Sequence, residues 1–262
     1  MATPDLERVG GLEWTRRTGG RLSSRERRHL LGEIVRGQAA YVASRVKLAT
    51  GRVPAGARDI ASADFAPPDS AFARAAEEAA REQTPGVEGH GYRTWLFGAG
   101  LAALDRNPLD PERFYVASLL HDHGIVEPAR EQDFTLRSAE RVERCAGEVG
   151  AEGAAAPDTE AVIAISDAIT VHATPGITVE DDGELGFYVQ AGAMLDLGGL
   201  RAEALTGAFR DDVHRRHPRD GVTAEIIAAI RAETRLNPGG RFALLRRCGF
   251  LPLIRIAPFR PR

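Results

Sequence analysis

The 262-residue chain is 43% hydrophobic, 27% charged and 6% aromatic, the composition of a soluble globular protein able to bury a sizeable core. Its net charge of −3 conceals an acidic middle, because residues 84–200 carry 20 acidic and 7 basic side chains. Such a balance argues against a nucleic-acid cleft, which needs a basic footprint. No apolar run approaches the roughly 20 residues that span a bilayer, and the N-terminus shows no basic region followed by an apolar one. The expectation is a cytoplasmic protein with neither membrane nor nucleic acid as partner. Cys145 and Cys248 are too few and too far apart for a disulfide framework and read as reduced thiols.

Taken in order, residues 1–22 hold four glycines and no sustained periodicity, and read as a loose N-terminal arm that Trp14 pins to the body. Residues 23–262 read as a single helical domain. Ser23 and Ser24 offer N-caps for a helix to about Thr50, with Leu30, Leu31, Ile34, Val35, Ala39, Val42 and Val46 at helical spacing. Residues 51–68 form a long Gly-, Pro- and Asp-rich connection, after which Asp69 and Ser70 cap a second helix. A helix over about Val87 to Leu104 carries His90 near its start and Arg93 one turn later. Asp110 and Pro111 then open the stretch PERFYVASLLHDHG, which ends on His121-Asp122-His123 with Gly124 placed to close it. Further helices follow over about Thr135–Val149, over TEAVIAISDAITVHA with His172 near its end, and over GELGFYVQAGAMLDLGG with Asp196 in its last turn. Helices near Glu203–Arg215, Thr223–Leu236 and Arg241–Cys248 complete the set, and PLIRIAPFRPR reads as a surface tail. With almost every segment an amphipathic helix, the fold class is all-α. The apolar C-terminal helices are the candidate surface for a homodimer.

An apolar helix that ends on an imidazole beside a carboxylate carries costly groups inward, and a metal ion is the partner that best explains them. Nitrogen and oxygen donors without sulfur suit a catalytic divalent metal, zinc before manganese or iron, with positions left for water. A metal of this kind brings the pKa of its water towards about 7.

His90, the pair His121-Asp122 and then Asp196 on a later helix resemble the ordered ligand set of the HD-domain metal-dependent hydrolases. The surrounding text, PPDSAFARAAEEAAREQTPGVEGHGYRTWLFGAGLA and DPERFYVASLLHDHGI, together with AISDAITVHATPG and QAGAMLDLGG, is similar to the branch that includes cyanamide hydratases. The similarity covers roughly Ala66 to Arg201, about half the chain. It implies a helical bundle with metal bound between helices, and His90, His121, Asp122 and Asp196 as ligands. Two features depart from the pattern. Gly91 follows the first histidine where this branch often has a small hydroxyl residue. Only His172 lies between the HD pair and the last aspartate, which favours one metal and makes His172 a proton shuttle or hydrogen-bond donor.

Arg93 is then a candidate to orient a ligand carboxylate or hold a substrate anion. The expected activity is water activation against a small neutral molecule, at a C–N bond or nitrile-like carbon. The alternatives are a phosphohydrolase, with Arg93 and Arg137 contacting phosphate, and a non-catalytic ligand-binding protein that keeps the metal. His123 reads as a neighbour of the site, Glu127 as a solvated loop residue and Asp167 as a weaker candidate orienter of His172. His214 and His217, in HRRHPR, read as a solvated basic face.

Overall fold

The computed structural model describes residues 8–259. Among them twelve α-helices are joined by turns and short 3-10 segments, with no strand, so the fold is all-α as the periodicities predict. The centre is α4 (Pro85–Asp105), which is apolar around most of its circumference and buried almost from end to end. A helix of that kind has to sit inside others. It crosses α8 (Val179–Gly198) at Gly192, where an added Cβ would lie 2.2 Å from the Thr94 carbonyl oxygen and 2.9 Å from the Gly98 nitrogen. Only glycine lets the two backbones touch there.

Around this crossing pack α3 (Ala71–Ala80), α5 (Pro111–Leu120), α6 (Phe134–Ala151) and α7 (Thr159–Val171). Their starts are set by the capping residues visible in the sequence. Asp110, Asp133 and Asp158 each accept a hydrogen bond from a backbone N–H of the first turn. Part of the acidic charge of the middle segment is therefore spent on helix starts, where the macrodipole favours it. Helix α9 (Gly207–Arg216) joins the same core through Phe209 and Val213, while α10 (Val222–Leu236) and α11 (Arg241–Arg247) pack in a second cluster with Val87 of α4 and Leu197 of α8.

Several expectations need correction. Residues 12–18 of the expected loose arm form α1 (Leu12–Thr18), in which Trp14 is buried and its indole N–H donates to Glu26. Residues 1–7 of that arm lie outside the described residues. The expected surface tail, 252–262, begins inside α12 (Phe250–Arg255), where Ile254 is buried, and its residues 260–262 lie outside the described residues. In α2 (Ser24–Ala49), capped by Ser23 and Glu26 as a capping box, only part of the apolar stripe turns inward. Leu30 and Ile34 are buried, whereas Leu31, Val35, Val42 and Val46 face outward. The helix rests on the body through one narrow edge. Among the described residues no helix is long and apolar enough to cross a membrane.

One buried cation ties the ends of the chain to the middle. The Arg241 guanidinium on α11 donates to the Thr170 carbonyl and to Thr174 Oγ1, each at 2.7 Å, and to Thr135 Oγ1 at 3.1 Å. It stands 3.2 Å from the Asp133 carboxylate and lies over the Trp14 ring. Burial raises the Asp133 pKa, but the Arg241 charge and the Thr135 hydrogen bonds outweigh it and hold the group below its ordinary 3.8. A folded pKa below the unfolded one means that this stabilisation is complete above pH 3.8 and is lost as pH falls through the lower folded value. Asp133→Asn should therefore cost about 3 kcal/mol at neutral pH, by leaving a buried charge unpaired. Urea unfolding followed by circular dichroism checks this, and the penalty should shrink under acid conditions.

Candidate metal centre

Three imidazoles and one carboxylate meet where α4, α5 and α7 converge. His90 comes from the first turns of α4, His121 and Asp122 from the end of α5, and His172 from the end of α7. All four are buried. The helices can come so close because of Gly91. A Cβ there would stand 3.0 Å from the Leu119 carbonyl oxygen and 3.2 Å from that of Ser118. A hydroxyl residue at this position would push α5 away from α4, and His121 away from His90.

Each ring is oriented through its Nδ1. His90 Nδ1–H donates to Asp196 Oδ2 at 2.7 Å, His121 Nδ1–H to the Ser118 carbonyl at 2.7 Å, and His172 Nδ1–H to the Ile169 carbonyl at 2.5 Å. A carbonyl and an ionised carboxylate can only accept, so each Nδ1 carries a proton and Nε2 is the nitrogen each ring presents to the cluster. His90 Nε2 and His121 Nε2 are 3.3 Å apart. Asp122 Oδ2 lies 3.7 Å from His90 Nε2 and 3.5 Å from His121 Nε2, while Oδ1 lies 3.6 Å from His172 Nε2.

The electrostatics follow from burial. It drives the His121 pKa down to about 3 in spite of the adjacent Asp122 carboxylate, with His172 and His90 adding to the depression. The ring is therefore a neutral donor at physiological pH. Burial alone would raise Asp122, but the adjacent imidazoles of His121, His172 and His90 outweigh it and hold it well below the usual carboxylate range. Asp122 Oδ1 has no hydrogen-bond partner that satisfies it.

These residues fit a divalent ion. Two lone-pair nitrogens facing each other repel unless a cation separates them. Nitrogen ligands about 2.05 Å from a tetrahedral ion stand roughly 3.3 Å apart, the spacing of His90 and His121 here. The donor atoms of His90, His121 and Asp122 all lie within 4.8 Å of one another, so the three could hold a metal ion between them.

Asp196 and Arg93 lie outside this cluster. Asp196 is fully buried behind His90, with one oxygen taken by His90 Nδ1 and the other by Arg93 Nε at 2.9 Å and by Arg219. Burial opposes its ionisation, but Arg219, Arg93 and His90 hold its pKa well below the carboxylate range. The expected fourth ligand thus stands where a metal-binding histidine commonly has its orienting carboxylate. Arg93 also donates to the Pro218 carbonyl at 2.7 Å, so it bridges Asp196 and the segment after α9. Arg137 is engaged with the Gly124 and Gln132 carbonyls and Glu233. Asp167 pairs with Arg8 and the Leu12 N–H rather than with His172, and exposed Glu127 stands apart from the cluster. His123 bonds Glu82, outside the cluster.

Arg219 is the residue that sequence reasoning missed, because HRRHPR was expected to be a solvated face. In the fold His214 packs edge-on between Phe97 and Phe259, and His217 stacks on Tyr92 at 4.7 Å. Burial lowers both imidazole pKa values to about 4. Phe259 also faces the Arg219 guanidinium.

The cluster opens onto a cavity of about 160 Å³ that extends between α2, α8, α11 and α12. Its walls include Ile34, Met194, Leu197, Leu245, Phe250 and Leu253, and among the described residues neither lysine nor arginine lines it. Compared with family models and with curated proteins, the chain finds no match in either.

Chelator-stripped protein should take up a single divalent ion per chain, measured by calorimetry and elemental analysis. His121→Ala and Asp122→Ala should abolish uptake. Asp196→Asn should retain it with about 10–100-fold weaker affinity, and should also destabilise the fold by leaving Arg93 without its counter-charge. Ion uptake at wild-type affinity in the His121 and Asp122 variants would sink the assignment.

Proposed function

We propose that the chain is a metal-dependent enzyme of the HD-domain type that activates water against a small uncharged molecule. The observation that carries this is a buried set of converging nitrogen and oxygen donors in the wall of a cavity that no lysine or arginine among the described residues lines. The order of His90, His121-Asp122 and Asp196, with its flanking sequence, supports the family and the cyanamide hydratase-like branch. Zinc suits these donors best, with manganese and iron as the other candidates.

His90, His121 and Asp122 would hold the ion, and Asp196, itself fixed by Arg93 and Arg219, would keep His90 in the tautomer that ligates. A divalent ion held there supplies an acidified water at neutral pH. His172 is suited to move the proton. Its Nδ1–H is anchored on the Ile169 carbonyl, and its Nε2 stands 3.6 Å from the Asp122 carboxylate at the cavity floor. Gln190 Nε2 steadies this turn by donating to the His172 and Thr174 carbonyls at 2.6 and 2.7 Å. The reaction would be hydration of a nitrile-like carbon or hydrolysis of a C–N bond.

A phosphate monoester is the weaker substrate class. Neither Arg93 nor Arg137 lines the cavity, and the charged side chains on the wall, Asp122 and Glu33, are acidic. Metal-loaded protein should turn over members of a panel of cyanamide, aliphatic and aromatic nitriles and small amides in preference to p-nitrophenyl phosphate. His172→Ala should keep its metal and lose about 10²–10⁴-fold in kcat. Phosphate release that depends on His121, with no turnover of the neutral compounds, would overturn the substrate class. Metal binding without any turnover would favour a ligand-binding protein.

A further inference from the structure

The cavity is much larger than its reacting end requires. Water and a carbon–nitrogen group occupy a few atoms beside His90, His121, Asp122 and His172. Apolar cavities of about 150 Å³ hold a benzene-sized body, and this one measures about 160 Å³. Beyond the cluster its walls are Ile34 on α2, Met194 and Leu197 on α8, and Phe250 and Leu253 on α12. A three-atom substrate would leave those surfaces wet and would gain nothing from them.

Two details on α2 mark this end as a binding chamber. Gly37 lines the mouth in the middle of a 26-residue helix, where glycine costs about 1 kcal/mol relative to alanine. A Cβ built there meets nothing within 4 Å, so neither backbone conformation nor close packing calls for glycine. What its absent side chain leaves is the opening itself. One turn further, Tyr41 is buried on the same wall with a hydroxyl that has no hydrogen-bond partner. A buried hydroxyl without a partner is unusual in a folded protein, and an acceptor on a bound molecule would satisfy it.

We infer that the substrate is an uncharged molecule whose reacting group reaches the imidazole cluster and whose apolar body, of about six to eight carbon atoms, fills the chamber between α2, α8 and α12. The inference rests on the proposed function for the identity of the reacting end. The chamber itself rests on the cavity walls alone, so the two can fail separately.

Acetamide, hexanamide and benzamide serve as probes, because none of them needs the metal in order to enter. They are titrated by calorimetry into metal-loaded and chelator-stripped wild type, and into Gly37→Phe and Leu253→Trp, either of which narrows the chamber. Each buried methylene contributes roughly fourfold in affinity. Hexanamide and benzamide should therefore bind more than about tenfold tighter than acetamide, with or without metal. That gain should vanish in whichever variant keeps the wild-type melting temperature and metal content. Equal affinities across the three amides, or a gain that survives in a folded variant, would overturn the chamber. Failure of the wild type to bind any divalent ion, with the amide series intact, would instead overturn the metal-dependent chemistry and leave the chamber standing.

Discussion

The structure turns on one buried negative charge. Asp196 has no exposed surface, yet it is ionised because Arg93, Arg219 and His90 Nδ1 surround it. Burying a carboxylate without those partners would cost several kcal/mol, so the elements that supply them must arrive together. α4 brings His90 and Arg93, α8 brings Asp196, and the segment after α9 brings Arg219. Through Asp196 the chain fixes which nitrogen of His90 carries its proton, and hence which nitrogen faces the cavity. A charge pair of this kind contributes little to net stability against an apolar substitute. Its contribution is orientation.

Orientation is useful only if the backbones come close, and here size matters more than charge. At Gly192 the α4–α8 crossing closes until a Cβ would overlap the Thr94 carbonyl, which sets Asp196 against His90. At Gly91 the same thing happens between α4 and α5, which sets His121 against His90. Taken together, the two contacts make the site a consequence of helix spacing. A side chain at Gly192 would force the crossing apart, and one at Gly91 would shift α5 by a few tenths of an ångström, beside groups that need close placement. Glycine at 91 thus serves the close packing of α4 on α5 in this chain.

Much of this was legible in the residues. Helix starts are local chemistry, so Asp110, Asp133, Asp158 and Ser23 announced them, and the periodicities gave an all-α fold. His121 and Asp122 stood out in the residues because an apolar helix does not end on polar residues without cause, and only the family resemblance set His90 beside them. What sequence could not give was the side on which a partner lies. Asp196 was expected as a ligand, and in the fold its two oxygens are taken by His90, Arg93 and Arg219. Arg219, His214 and His217 looked like a solvated face because charge density in a sequence does not reveal a buried carboxylate opposite. The outward valines of α2 misled in the converse way: helical spacing shows that a stripe exists, not how much of it the body covers.

The late helices, α11 and α12, join what seem in the sequence to be separate jobs. Phe242 and Leu245 of α11 and Phe250 and Leu253 of α12 wall the cavity, and Arg241 at the start of α11 reaches back to Gly10, Thr170, Thr174 and Asp133. Thr170 and Thr174 flank His172 on the turn that carries its ring. The same buried cation that anchors α11 over the cavity therefore also holds the end of α7 on which His172 sits. A shift of the roof cannot leave the floor unchanged. Tight placement of His172 depends on residues at both ends of the chain, which is why α1 and α12 belong to the folded body.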